Sequence, residues 1–343
     1  MKSKTFFAFV APSLILMFVF IAFPLVSVLI QSFQNTQVVA REESVEKCTP
    51  GFPNPICTRE LVRLPVRDAE GRPVMQTEFV GLDNYRKLLR TEEIVRLWQT
   101  GTLSLSGLLS IDFFRALRFT LTFTLVTLPF VIGLGLAIAL ALNATIKSLR
   151  GPIIFASLLP FIITPVIGAL SIRWLFAGDG ILTALLRWMS DSQLSMFAQG
   201  WTIELLMMVY RVWHVAPFAF IVFYAGLQTL NQDTLESAIV DGASRFERLR
   251  YVVLPHLAPL IVFISLIHLM DSYRVFDEVV GFSSQAHVIS LQWLTYDLLT
   301  PDNTGNRAIG RASASSMLTM VGIVLLLIPL LQRTWRDHKL TRR

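Results

Sequence analysis

Charge is scarce in this 343-residue chain: Asp, Glu, Lys and Arg together make up 16% of it, while apolar residues make up 53%. A soluble domain carries about 25% charged residues, so water is excluded as the solvent for most of the sequence. Catalytic and nucleotide-binding motifs are missing too. There is no Gly-x-x-x-x-Gly-Lys-[Ser/Thr] loop to cradle a phosphate and no His-Glu-x-x-His zinc helix. A Gly-x-Ser-x-Gly nucleophile elbow is likewise absent. The five histidines, His214, His256, His268, His287 and His338, form no close ligand pair, so no metal is expected.

What the chain does contain is long apolar runs. They cover Thr5–Ser32, Phe119–Ile146, Gly151–Ile172, Trp201–Leu230, Leu257–Met270 with a charged continuation to Gly281, and Ala312–Gln332. A bilayer crossing needs about 20 residues at 1.5 Å rise each, which gives six helices and an all-α membrane protein. The first run follows Lys2 and Lys4 as a leader would, but it is too long for a leader's apolar region and has no small-residue cleavage site, so it reads as a retained span.

Basic residues concentrate on one side. Lys2, Lys4, Lys147, Arg150, Arg245, Arg248, Arg250, Arg333, Arg336, Lys339, Arg342 and Arg343 fall at the termini and in alternate short connections, which places both termini and the loop 231–256 in the cytoplasm. The net charge of +6 therefore reads as topology, with no nucleic-acid partner expected. The expected layout is residues 1–32 as the N-terminus and first span, 33–115 as an external insertion, 116–334 as a five-span core and 335–343 as a cytoplasmic tail.

The external segment holds both cysteines, Cys48 and Cys57, on either side of a Pro-rich turn. An exported compartment permits their oxidation, so a disulfide is expected. Residues 63–77 read as a short hairpin around Asp68–Gly71, and 84–98 has helical periodicity.

In the second span Gly133, Ala137 and Ala141 recur every four residues and form an expected packing face. Prolines interrupt most spans: Pro24, Pro129, Pro160, Pro165, Pro217 and Pro329. The pair Pro160 and Pro165 predicts a broken helix, whose freed carbonyls need donors from neighbouring helices or a cavity.

Charges inside spans need partners or a polar path. Glu204 and Arg211, seven residues apart, fall on one helix face and either pair, flank such a path, or snorkel outward. Asp271, Arg274, Asp277 and Glu278 stand three and four residues apart, as side chains that meet on one helix would. They line a solute path or form a structural ion network. Tyr210, Trp213, His214, Tyr224 and Tyr273 add aromatic and hydrogen-bonding surface to that candidate path.

The loop between the fourth and fifth spans carries the most specific pattern: Glu236-Ser237-Ala238, then Gly242, Val252 and Leu254-Pro255. It resembles the Glu-Ala-Ala, Gly, Ile, Leu-Pro signature of the inner-membrane permeases of bacterial binding-protein-dependent ABC importers, with every spacing kept. Ser237 and Val252 are mild departures. The likeness, nearest to the maltose-type carbohydrate branch, runs from about Phe113 to Arg333. It takes in Leu159-Pro160, Trp174-Leu175-Phe176, Trp213, Pro217, Ala225-Gly226-Leu227-Gln228 and Asp241-Gly242-Ala243. A Thr-x-Gly-Gly-Pro run common in that branch is replaced by Gly281-Phe282-Ser283-Ser284-Gln285, and the insertion 33–115 is longer than the minimal pattern.

The resemblance implies a non-catalytic subunit in the bacterial inner membrane that pairs with a second permease, sits on two ATPase subunits and receives solute from a periplasmic binding protein. ATP and Mg would be bound by the ATPases, with no cofactor on this chain. It implies an ATPase-coupling role for Glu236, Ser237, Ala238, Asp241, Gly242, Ala243, Arg245, Leu254 and Pro255. The residues themselves fit that role: Gly242 permits a tight turn between two short helices, Glu236 and Arg245 can pair across a polar interface, and Leu254 and Pro255 set the junction with the fifth span. The solute is a carbohydrate or polyol on this reading; a non-sugar solute such as glycerol phosphate, or a secondary transporter, is the alternative.

Overall fold

The computed structural model describes residues 3–49, 56–101, 104–178, 180–190, 196–302 and 305–340. Among them, five helices are long and apolar enough to cross a membrane: Phe9–Ser32, Asp112–Asn143, Gly200–Gln228, Arg245–Ser272 and Ile309–Arg333. A bent pair, Lys147–Ile162 and Pro165–Phe176, brings the number of spans to six; its halves meet at 92°. These are numbered first to sixth in chain order, the bent pair being the third. The chain forms two compact units, Met1–Phe113 with Leu294–Met320, and Phe114–Trp293 with Val321–Arg343.

In the first unit four strands follow the first span: β1 (Gln34–Val38), β2 (Ala40–Thr49), β3 (Ile56–Pro65) and β4 (Met75–Phe79). β1 pairs antiparallel with β4, and β2 with β3. The expected hairpin at 63–77 is reduced to a turn closed by an Arg67–Pro73 bridge. Pro65 and Pro73 have no N–H to extend a ladder there, so the flanking strands take partners elsewhere in the sequence. The 84–98 periodicity becomes two helices, Asp83–Leu89 and Thr91–Gln99, broken where Arg90 adopts a left-handed φ of 46°. Buried Asn84 ties the segment together by donating to the carbonyls of Ser32 and Gln34, 2.9 Å each. The Val38 amide donates to Asn306 Oδ1 at 2.6 Å. Gly310, at the start of the sixth span, lies so close to Asn84 and the Gln34 carbonyl that a Cβ there would overlap both.

The second unit is built on the fourth span, the most buried of the six. Phe220, Phe223 and Ala219 pack with Val131, Ala139, Leu257 and Ile264 into one apolar core. The face of the second span that makes this contact is Val131, Gly135, Ala139 and Leu142, all buried. A Cβ on Gly135 would overlap Ala219. The expected face Gly133, Ala137, Ala141 is exposed instead, because the close approach depends on Gly135 two residues further on.

Two of the prolines leave the same trace. The first span contains one widened turn at Phe18–Ala22, and the fifth another at Leu249–Val253; each ends two residues before a proline, Pro24 and Pro255. In each, the next amide bonds five residues back, Phe23 to Phe18 and Leu254 to Leu249. Proline supplies no N–H and its ring crowds the preceding turn, and a turn opened by one residue relieves both.

Candidate functional site

The loop after the fourth span is a helical hairpin with a specific reason for each bend. Gln232–Val240 starts where the Asn231 side chain accepts from the Asp233 amide at 2.9 Å, satisfying one of the first-turn donors. It ends in a paired closure: the Ala243 amide reaches the Ala238 carbonyl at 2.9 Å and the Gly242 amide the Ile239 carbonyl at 3.0 Å. That closure requires a left-handed residue, and Gly242 supplies it at φ 80°.

Ser244 then starts the next helix with a reciprocal cap, its hydroxyl accepting from the Glu247 amide at 3.3 Å while its amide donates to Glu247 Oε2 at 2.7 Å. The Ser237 hydroxyl donates to the Asp233 carbonyl at 2.8 Å, so the departure from Ala at this position is absorbed inside the helix. Leu254 and Pro255 stand at the junction between the hairpin and the fifth span. They continue the helix that carries the fifth span, just past its widened turn.

Two features of the hairpin go beyond the sequence reading. Glu247, through the Ser244 cap, is the acid that organises the turn, while Glu236 and Arg245 make no ion pair with each other within the chain. Beyond this, Ile239, Val240, Phe246 and Tyr251 are large apolar side chains left exposed on the hairpin. Sequence reasoning passed over them, although apolar residues on an otherwise polar loop were the available signal.

A second constellation lies in the bundle. Arg211, buried on the fourth span, donates to Glu278 Oε1 at 2.8 Å, to Asp271, and to Ser272 Oγ at 3.3 Å. Glu278 is 1% exposed while the Asp271 side chain is more than half exposed. His268 Nε2 lies 2.9 Å from Thr127 Oγ1 and 3.2 Å from Ser272 Oγ, which extends the network to the second span. Of the readings left open for Glu204 and Arg211, a pair between them is not made: Glu204 binds Arg118, and Arg211 takes Asp271 at the end of the fifth span and Glu278 beyond it. Nor do the four charged residues at 271–278 share one helix. The fifth span ends at Ser272, Arg274 is exposed in the turn beyond it, and Asp277 opens a new short helix, Asp277–Gly281.

Tyr210 and His214 are spent on the broken third span. The Tyr210 hydroxyl donates to the Pro165 carbonyl at 2.8 Å, and His214 Nε2–H donates to the Ile163 carbonyl at 2.9 Å. Gly168 lies so close that a Cβ would meet the Tyr210 hydroxyl. Tyr273 is buried with its hydroxyl against Gly322, and Tyr224 packs on Phe220 with ring centroids 6.2 Å apart. Trp213 lines an apolar groove of ≈ 300 Å³ with Thr127, Phe130 and Val209. Arg211 Nε, His214 Nδ1 and His268 Nδ1 are buried with no hydrogen-bond partner. Among the described residues no group of three or more His, Cys, Asp or Glu side chains is placed to hold a metal. In the first unit, the β2–β3 register sets Cys48 directly opposite Cys57.

Residues 104–336 match the family described as binding-protein-dependent transport system inner membrane component. The chain is 28% identical to the trehalose/maltose transport system permease protein MalF of Thermococcus litoralis over 252 residues, 72% of this chain and 77% of MalF. It is 33% identical to the trehalose transport system permease protein SugA of Mycobacterium tuberculosis over 229 residues, 65% of this chain and 66% of SugA. Among solved structures, a chain of a bacterial ABC transporter involved in the import of the acidic polysaccharide alginate superimposes with a TM-score of 0.66. That likeness covers 98% of this chain and 96% of the other at 19% identity.

Proposed function

Because the chain belongs to the binding-protein-dependent transport system inner membrane component family, we propose that it is the permease subunit of an ATP-driven importer for a carbohydrate or related polyol. The observation that carries this reading is the hairpin: the spacing of the signature coincides with a turn that only Gly242 closes without strain, presented with an exposed apolar tip. On this reading the hairpin, residues 231–256, seats in a groove of an ATPase subunit in the cytoplasm, where both termini also lie. Glu236, Asp241 and Arg245 face the polar rim, and Ser237, Ala238, Ala243, Leu254 and Pro255 hold the hairpin's shape.

A second permease, two ATPase subunits and a periplasmic binding protein complete the machine. ATP and Mg stay with the ATPases, and this chain performs no chemistry. The relatives named for trehalose and maltose support a sugar as cargo.

Within the bundle, Arg211, Asp271 and Asp277 with His214 and Trp213 border the proposed solute path, and Tyr210, Tyr224, Tyr273 and Arg274 stand around it. Three buried polar atoms left without partners support a polar occupant there. Alternating access, in this reading, opens the Arg211–Asp271 contact, because Asp271 is its solvent-facing half. Outside the membrane, Cys48 and Cys57 form a disulfide across β2 and β3.

The test is uptake in proteoliposomes assembled from purified subunits. Uptake is expected to need ATP on the hairpin side and the binding protein on the other. Uptake that persists when the ATPase subunits are left out, or that collapses with an uncoupler while ATP remains high, overturns the reading in favour of a secondary transporter.

A further inference from the structure

Between the third and fourth spans lies a ten-residue helix, Ile181–Ser190, of inverted amphipathy. Its protein-facing side carries what polar character it has: Thr183 is buried and donates to the Phe176 carbonyl at 2.7 Å, and Arg187 is half-buried beside Leu182 and Leu186. The outward side is Ile181, Ala184, Leu185, Trp188 and Met189, which recur at the spacing of one helix stripe and are all exposed. Trp188 is 82% exposed and no charge interrupts the stripe. A water-facing helix has the opposite arrangement, whereas a surface in contact with lipid has this one.

Position supplies the occupant. The helix leaves the end of the third span and the chain enters the fourth soon after, so it is held at the membrane boundary. Trp174, 69% exposed near the end of the third span, and Trp201, 64% exposed at the start of the fourth, stand on either side of it in the chain. Tryptophans at span ends mark the headgroup level of a bilayer, and Trp188 continues that belt. The connection carrying the helix is on the face opposite the hairpin, which is the outer leaflet on the proposed topology. Gly180 lies against the Trp174 and Leu175 carbonyls, where a Cβ would overlap both, so the chain doubles back tightly onto the third span.

We propose that Ile181–Ser190 is an interfacial helix whose Ile181, Leu185, Trp188 and Met189 stripe is seated in the lipid of the outer leaflet, anchoring the outer arm of the bent third span at fixed depth. The inference rests on the six-span topology proposed above, but its readout involves no transport. In the complete complex reconstituted in phosphatidylethanolamine and phosphatidylglycerol vesicles, single spin labels replace Ile181, Leu182, Leu185, Leu186, Trp188 and Met189 in turn, with Arg72→Cys as a water-exposed control.

Labels at 181, 185, 188 and 189 are expected to collide with oxygen far more than with a water-soluble nickel complex, at a depth near the headgroup boundary, and labels at 182 and 186 to be shielded from both. Quenching of fluorescence by brominated lipid is expected to fall in Trp188→Phe. Nickel accessibility at 181, 185, 188 and 189 equal to that of the control would overturn the proposal, as would shielding of those positions from both reagents, which would mean a protein partner covers them. A complex that fails in uptake yet gives the oxygen pattern retains the interfacial helix and loses only the transport reading.

Discussion

The Tyr210 hydroxyl on the fourth span donates to the Pro165 carbonyl on the third, 2.8 Å away, and one helical turn later His214 donates to the Ile163 carbonyl at 2.9 Å. These two side chains sit against a 92° break that proline creates and that lipid would leave without donors.

Removing those donors should loosen the break. Tyr210→Phe deletes one hydrogen bond and is expected to cost about 1 kcal/mol, and His214→Leu a similar amount. The two residues clasp one element, so their effects should deviate from additivity. Thermal unfolding of the purified complex for the two single variants and the double variant measures this.

The turn at Gly242 fails for a backbone reason. No atom lies within 4 Å of where its Cβ would be, so bulk alone is harmless there, and the φ of 80° is what an L side chain resists. Gly242→Val is expected to cost about 1–2 kcal/mol locally and to displace the Ser244–Glu247 cap. Uptake should drop while ATP hydrolysis by the complex continues, and Gly242→Asn, which tolerates this region, should retain most uptake. Equal loss in both variants would point to the side chain rather than the backbone.

Arg211 and Glu278 are both buried, so breaking the pair exposes the remaining partner to an uncompensated burial cost. Glu278→Gln or Arg211→Met alone is expected to destabilise by about 3–5 kcal/mol. The combined variant should recover part of that loss, as judged by the urea or thermal midpoint. Asp271→Asn, at the solvent-facing contact, should cost much less stability and change solute uptake more.

A cross-strand disulfide at Cys48–Cys57 would leave no thiol to label before reduction and two afterwards, a difference mass spectrometry reads directly. Closing so short a loop is expected to stabilise the insertion by about 2–3 kcal/mol. Two labelled thiols in freshly extracted, unreduced protein would remove the bridge.

The spans and the family signature in the hairpin were legible in the sequence because each depends on local information: hydropathy over about 20 residues, and residue types at fixed spacing. The partner of Arg211 was not. Glu204 is nearer in sequence, and only the packing of the fifth span's end and of the short helix beyond it brings Asp271 and Glu278 to the guanidinium. The packing face of the second span was missed for a related reason. Gly135 and Ala139 are as small as Gly133 and Ala137 two residues earlier, and which pair turns inward is decided by Ala219 on another helix. The insertion's strand pairing depended on long-range register, which proline at 65 and 73 redirected away from the nearest hairpin.

The widened turn at Leu249–Val253 also fixes how the hairpin and the fifth span are phased. Such a turn absorbs one residue beyond the α repeat, so the helices on either side keep the angular alignment they would have if that residue were missing. Deleting one residue within 249–253 should therefore leave the hairpin aimed as before. The same deletion between 256 and 272 would swing everything beyond it by about 100° and turn the buried flank of Leu257, Ile264 and His268 toward the hydrocarbon.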